Sequence, residues 1–248
     1  MVSASDIQVL ALLKTRMSGK KAEKIYKKMA FDSQFHQDPI GFYGGICILW
    51  NQAAVEVKII EVHHQFIHTK LFWKDQNKEE LFTVVYGSPR KMERKGMWDS
   101  LIRLKNNING PWALMGDFNA YLRPSEKKGG GEPNWKATQE FQDCLDTCGL
   151  ADLAFKGPSF TWRRGNLQER LDRAVANEDW LIQFQDRMVS HLNFNGSDHR
   201  PIVLGQQVFP RENKGQKPFK FLASWLTYEE FDSIVKFSWE KDVDWISA

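Results

Sequence analysis

The sequence predicts a mixed α/β domain, on two observations. Short β-branched and aromatic runs recur along the chain, and between them lie stretches whose apolar residues repeat at helical spacing. The size agrees, because 248 residues with 42% hydrophobic content can bury one substantial core. In chain order, Val9 to Leu13 reads as a buried strand. A helix is predicted from Ser18 to Met29, with Ala22, Ile25, Tyr26 and Met29 at helical spacing. Gly44 to Trp50, Val55 to Val62, Phe66 to Trp73 and Leu81 to Tyr86 follow as strands with short polar breaks, a meander. Trp98, Leu101, Leu104 and Ile108 share one face of a helix near Lys91 to Ile108. Trp112 to Met115 is a strand, and Thr138, Phe141, Leu145 and Cys148 mark another helix. The last strands lie near Phe160, Leu171 to Val175, Met188 to Phe194 and Ile202 to Leu204.

Beyond Leu204 the character changes. Residues 205–218 are polar and carry Gly and Pro, the composition of a linker. Thr227-Tyr228-Glu229-Glu230 is then a capping box ahead of a helix faced by Phe231, Ile234 and Val235. The expected organisation is a domain over 1–204, a linker over 205–218 and a separate segment over 219–248.

Composition narrows the function classes. No apolar run approaches the roughly 20 residues that span a bilayer, and no basic segment precedes an apolar signal core. An intracellular protein without a membrane partner is therefore expected. Cys47, Cys144 and Cys148 are too few for a disulfide framework. Cys144 and Cys148 sit four apart on a predicted helix, but no second Cys or His pair follows at zinc spacing, so they read as buried thiols. His63 and His64 read as ordinary, partly exposed strand residues. Lys127-Lys128-Gly129-Gly130-Gly131 lacks the spacing of a phosphate-binding P-loop and reads as a surface loop.

Net charge is only +3, yet it is unevenly placed. Lys14, Arg16, Lys20, Lys21, Lys24, Lys27 and Lys28 face the single acid Glu23, which reads first as a solvated helix face. Arg163, Arg164, Arg170 and Arg173 form a second cluster nearer the chemistry described next, and are the better candidates for contact with a phosphate backbone.

That chemistry is set by strand ends. Phe82 to Gly87 ends in the phenol of Tyr86, and Trp112 to Met115 delivers Asp117 and Asn119 in Gly116-Asp117-Phe118-Asn119. Asp172 lies inside the apolar stretch Arg170 to Val175, and Ser197-Asp198-His199 stands immediately before Ile202. Side chains alternate along a strand, so Asp117 and Asn119 face the same way if the extended geometry persists. Together these groups are the equipment for metal-assisted attack of water on a phosphodiester.

The ordered set Gly-Asp-Phe-Asn and Ser-Asp-His resembles the endonuclease/exonuclease/phosphatase superfamily. The blocks Ser125 to Gly131, Cys148 to Trp162 and Glu169 to Trp180 are most similar to the endonuclease domain of plant non-LTR (LINE-type) retrotransposons. The resemblance implies a four-layer α/β sandwich of two packed, mainly antiparallel sheets flanked by helices, with its first strand missing here. It implies a Mg²⁺-dependent DNA phosphodiesterase, with nuclear work expected by analogy. Asp117 would orient or deprotonate the attacking water, and Asn119 would hold the phosphate. His199 would stabilise the pentavalent phosphate or share proton transfer, and Asp172 would orient His199. Tyr86 would contact the phosphate or leaving group, and Asp198 would help hold metal. Residues 219–248 would lead toward a reverse transcriptase.

Two departures from the family pattern are expected to matter. No motif ahead of Val9 supplies the family's first Asn-bearing strand, and Lys14 stands where its metal-ligand Glu belongs. An ammonium removes a hard oxygen ligand and sets a positive charge beside a divalent cation. The expected function is thus a retrotransposon-type DNA endonuclease domain that is impaired in this copy. A non-catalytic nucleic-acid-binding remnant is the alternative, and a phosphatase or phospholipase of the same fold is disfavoured by the retroelement-like blocks.

Overall fold

A computed structural model describes residues 7–15, 28–39, 44–132 and 134–206, together with positions 233 and 236. Its elements run β1 (Val9–Leu13), β2 (Ser33–Gln37), β3 (Ile46–Trp50), β4 (Val55–His63), β5 (Phe66–Trp73), β6 (Lys78–Tyr86) and α1 (Lys91–Lys105). The chain continues with β7 (Trp112–Asp117), β8 (Lys127–Lys128), α2 (Trp135–Cys148), β9 (Ala151–Asp152), β10 (Phe155–Lys156), β11 (Trp162–Arg164) and β12 (Leu167–Glu169). It closes with β13 (Asp172–Ala176), α3 (Glu178–Gln183), β14 (Arg187–His191) and β15 (Ile202–Gln206). The predicted helix from Ser18 to Met29 and the segment beyond 206 fall almost wholly outside the described residues. By its contacts the chain divides into Met1–Gln207 and Val208–Ala248, and in the second unit Ser233 and Lys236 are helical.

The mixed α/β class is as expected, and one six-stranded sheet, ordered β4-β5-β6-β7-β13-β9, organises it. On one face lie α1 and α2, which seal Val85, Trp112, Leu114 and Val175 beneath Met97, Trp98, Leu101 and Phe141. Asn134 caps α2 by accepting the Ala137 N–H at 3.1 Å, and Gly149 ends it in the left-handed conformation (φ 66°). Cys144 and Cys148 are free and buried in this layer, as the helical spacing predicts.

The other face meets a layer made of two ladders, β1-β3-β2 and β10-β14-β15, where a single second sheet was expected. Ile46, Ile48 and Trp50 of β3 pack on Val84 and Tyr86, while Val189, Ile202 and Leu204 pack on Ala113, Ala174 and Ala176. Trp73 and Phe82 contribute to both clusters, so both ladders cover the same face. Alternation along β3 sends Cys47 and Leu49 outward, where Leu10, Leu12, Met29 and Phe31 cover them. Among the described residues β1 and β2 are the edges of their ladder. β2 reads SQFHQ, in which Phe35 alone gives an apolar signal, and it was not anticipated.

A buried ion pair joins the two layers. Glu80 and Arg187 meet at 2.8 Å, and the indole N–H groups of Trp73 and Trp180 donate to the same carboxylate. The Arg187 guanidinium also lies over the rings of Trp73 and Phe184. This network explains why β6 begins at Lys78 and not at Leu81: the polar residues that seemed to precede the strand carry the acid that locks it. Nearby, the indole of Trp112 donates to Thr83 Oγ1 at 2.9 Å, and the same hydroxyl is hydrogen-bonded to His68 Nδ1 at 2.8 Å. Burial favours the neutral imidazole of His68.

Two predictions follow from this packing. Burial lowers the His68 pKa to about 4. The unfolded chain takes up a proton near pH 6.5 and the folded chain does not, so stability is lost as pH falls from about 6.5 to about 4. Denaturant titrations at pH 7 and pH 4 should differ by about 3 kcal/mol from this residue, and His68→Gln should flatten that part of the profile. At Gly116, where φ is 150°, an added Cβ would sit 2.0 Å from Val85 O on the neighbouring strand. Gly116→Ala should cost about 3 kcal/mol or prevent folding, and an unchanged urea midpoint would show that the β6–β7 approach is less tight than described.

Candidate active site

The site begins with strand polarity. β6 and β7 are parallel, so both carry their C-terminal residues to the same end of the sheet, and Tyr86 is in register with Asp117. β13 runs antiparallel to β7 and brings its first residue there, with Asp172 in register with Asp117. Paired residues in a ladder point to the same face, so Tyr86, Asp117 and Asp172 form a row facing the second layer. His199 reaches the row from the loop ahead of β15, anchored by a bridge to Trp162 and by the Arg200 N–H donating to Thr161 O at 2.7 Å.

The imidazole of His199 lies between two carboxylates. Its Nδ1 is 2.9 Å from Asp172 Oδ2 and its Nε2 is 3.8 Å from Asp117 Oδ2. Burial opposes the imidazolium, but the Asp172 hydrogen bond and charge, with help from Asp117 and Asp198, raise the His199 pKa above its ordinary value. Burial pushes the Asp117 carboxyl up to about 7, and the neighbouring Asp172 adds to this against the opposing pull of His199, the Asn119 N–H and Lys14.

Asn119 joins the row by a different route from the one expected. The strand stops at Asp117, and Asn119 turns into the left-handed region at φ 49°. Its N–H donates to Asp117 Oδ1 at 2.8 Å, and its Nδ2 donates to Asp117 Oδ2 at 2.9 Å and Gly87 O at 2.8 Å. Both amide hydrogens are thereby engaged within the protein. The turn, not strand alternation, brings the carboxamide to the carboxylate.

Other expected residues are placed less centrally. Tyr86 is buried and lines a cavity of about 370 Å³ with Asp38, His64, Gln65 and Ser88. Asp198 is exposed, and its Oδ2 accepts the Trp162 indole N–H at 3.0 Å. Slight burial opposes its ionisation, but Trp162, His199 and Lys14 outweigh that and hold its carboxyl below the usual range. Lys14 is exposed at the end of β1 with φ 56°, and its charge acts on both Asp117 and Asp198. The arginine cluster divides. Arg163 and Arg164 are exposed, whereas Arg170 and Arg173 are buried and paired with Glu126 and Asp152, so only the first two remain available to a ligand. The apolar stretch around Arg170 had hidden that pairing, because its acids lie far off in sequence.

Thr161 was not anticipated. Fully buried, it accepts the N–H groups of Leu171 and Asp172 on Oγ1 at 3.0 and 2.9 Å, while its carbonyl takes the Arg200 N–H. It thus clasps the chain at Asp172 to the chain beside His199. Its position between Phe160 and Trp162 in the retroelement-like block is the one sequence signal that marks it.

Asp117, Asp172 and His199 each offer one ligand atom within 4.8 Å of the others, the geometry of a possible metal cluster. The donor set fits Mg²⁺ poorly. Such an ion demands near-octahedral oxygen coordination. Here the Asp117 oxygens are engaged by Asn119, Asp172 Oδ2 by His199 and Asp198 Oδ2 by Trp162, and the Lys14 charge lies close by.

Comparison with known proteins agrees with this architecture. Among solved structures, the endonuclease domain of TRAS1, a telomere-specific non-LTR retrotransposon, is similar at a TM-score of 0.55 with 15% identity, covering 76% of this chain and 90% of that one. A functionally unknown conserved protein from Enterococcus faecalis V583 aligns at 0.55 with 16% identity over 82% of this chain and 87% of its own. The Xenopus laevis APE2 catalytic domain aligns at 0.53 with 16% identity over 82% and 84% of the two chains. At these identities the likeness concerns the fold. No curated protein sequence matches the chain. The model of the endonuclease/exonuclease/phosphatase family matches residues 5–199, which include β1 to β14 and every residue of the row, and the chain belongs to that family.

Proposed function

We propose that this chain is a DNA phosphodiester-hydrolysing domain of the non-LTR retrotransposon kind, from the plant subgroup its sequence blocks resemble, with metal-dependent activity weakened by Lys14. The observation that carries the reading is the placement of His199 between Asp172 and Asp117 at one end of the stacked sheets. Family membership and the nuclease-type structural neighbours support the reaction class. The division of the chain near Gln207 supports reading 205–218 as a linker and 219–248 as a connector.

The residues suit a metal-poor version of the reaction. Asp117, with its pKa near 7, can exchange a proton with an attacking water at neutral pH. His199, whose imidazolium form is favoured by the Asp172 hydrogen bond and charge, can neutralise charge on the phosphorane or protonate the leaving oxygen. Asn119 acts through Asp117, and Tyr86 stands beside Asp117 to meet the phosphate. A bound dication would supply Lewis acidity and a low-pKa water in this family, but the donors here do not fit Mg²⁺ and no step is assigned to it. The alternative reading, a nucleic-acid-binding domain without catalysis, is favoured by one observation, the Lys14 charge at both Asp117 and Asp198.

Plasmid nicking tests this reading. With Mg²⁺ the chain should convert supercoiled plasmid at a rate near background, and His199→Ala should remove what remains. Robust His199-dependent cleavage would uphold the phosphodiesterase and refute the impairment. Lys14→Glu should make the thermal midpoint rise with added Mg²⁺, whereas the unaltered chain should show no such rise. An NMR titration should place the His199 pKa above 6.5, and Asp172→Asn should lower it because the burial penalty persists while the hydrogen-bonded charge is gone. An unchanged midpoint in that variant would remove Asp172 from its proposed role.

A further inference from the structure

Beside the His199 site two like charges share one aromatic ring. The guanidinium carbons of Arg163 and Arg200 lie 4.1 and 3.9 Å from the centroid of Phe194. Two planar groups so close to one ring centre must approach from opposite faces. Among the described residues neither cation pairs with a carboxylate, and the Arg163 guanidinium makes no hydrogen bond. Arg200 donates Nε to Phe160 O at 3.0 Å and Nη1 to Leu192 O at 3.1 Å, which leaves Nη2 without an acceptor among the described residues. Slight burial, with the charge of Arg163, lowers the Arg200 pKa, although arginine remains a cation at neutral pH. Holding two cations together with unused donors is unfavourable until an anion joins them.

The place of the stack says which anion. The Arg163 N–H donates to Asp198 O at 3.0 Å, Arg200 follows His199 directly, and Trp162 bridges to His199. We infer that Arg163, Phe194 and Arg200 form a seat for a backbone phosphate of the DNA strand that crosses the His199 site. This deepens the proposed phosphodiester reading and rests on it. Guanidinium forks match phosphate oxygens, and with both faces of Phe194 covered no base can stack there. The seat therefore holds the backbone without reading sequence.

Fluorescence anisotropy in EDTA, with two short duplexes of unrelated sequence, tests the seat without requiring catalysis. Arg163 is exposed, so Arg163→Ala should leave the thermal midpoint unchanged. It should weaken both duplexes equally, by about 3- to 10-fold, and reduce the log–log salt slope by about 1. Lys105→Ala, at the far end of α1, should change neither quantity. An Arg163→Ala loss confined to one duplex, no loss at all, or an equal loss with Lys105→Ala would overturn the seat. If the unaltered chain binds neither duplex, the nucleic-acid reading fails along with it. If the unaltered chain binds both and Arg163→Ala is silent, the seat alone fails.

Discussion

The parallel pairing of β6 with β7 is the constraint on which the site depends. Within the six-stranded sheet the described ladders are otherwise antiparallel, and only two strands running the same way can deliver Tyr86 and Asp117 to one edge together. Such a pair needs a crossover, and α1 provides it, lying across the face opposite to the acids. Close approach is then enforced by glycine: at Gly87 an added Cβ would meet Phe118 O at 2.5 Å. The core under α1 and the chemistry at the strand ends are two results of the same connection.

Bringing Asp117 and Asp172 side by side creates an electrostatic problem, which the structure answers with cations of its own. His199 lies between them, and the charge of Lys14 reaches the same region from β1. Asn119 donates to the Asp117 carboxylate, and Thr161 Oγ1 accepts the backbone N–H of Asp172. The result is a pocket that is satisfied internally. A site prepared for a dication would keep its carboxylate oxygens open, whereas here both oxygens of Asp117 and Oδ2 of Asp172 already hold protein partners.

Much of this was legible in the sequence where a signal is local. Strand ends marked by Gly-Asp-Phe-Asn and Ser-Asp-His placed Asp117 and His199, and the periodicity of Phe141, Leu145 and Cys148 marked α2. What escaped depends on distant partners. Glu80 fell just outside the strand expected from Leu81 because Arg187 and Trp180 are remote in sequence, and Arg170 and Arg173 looked available because Glu126 and Asp152 are. Asn119 comes beside Asp117 through a left-handed turn, where strand alternation had been expected.

The Glu80–Arg187 lock also bears on how the chain is made. Its partners are 107 residues apart, so during synthesis the acid leaves the ribosome long before the base that neutralises it. Until Arg187 emerges, β6 carries an uncompensated charge on the surface that must become interior. Helix α1 and the β4–β5–β6 meander can form early, but the β10-β14-β15 ladder that carries Arg187 cannot yet close on them. Nascent chains halted before β14 should therefore leave that half of the sheet face open to proteases and chaperones.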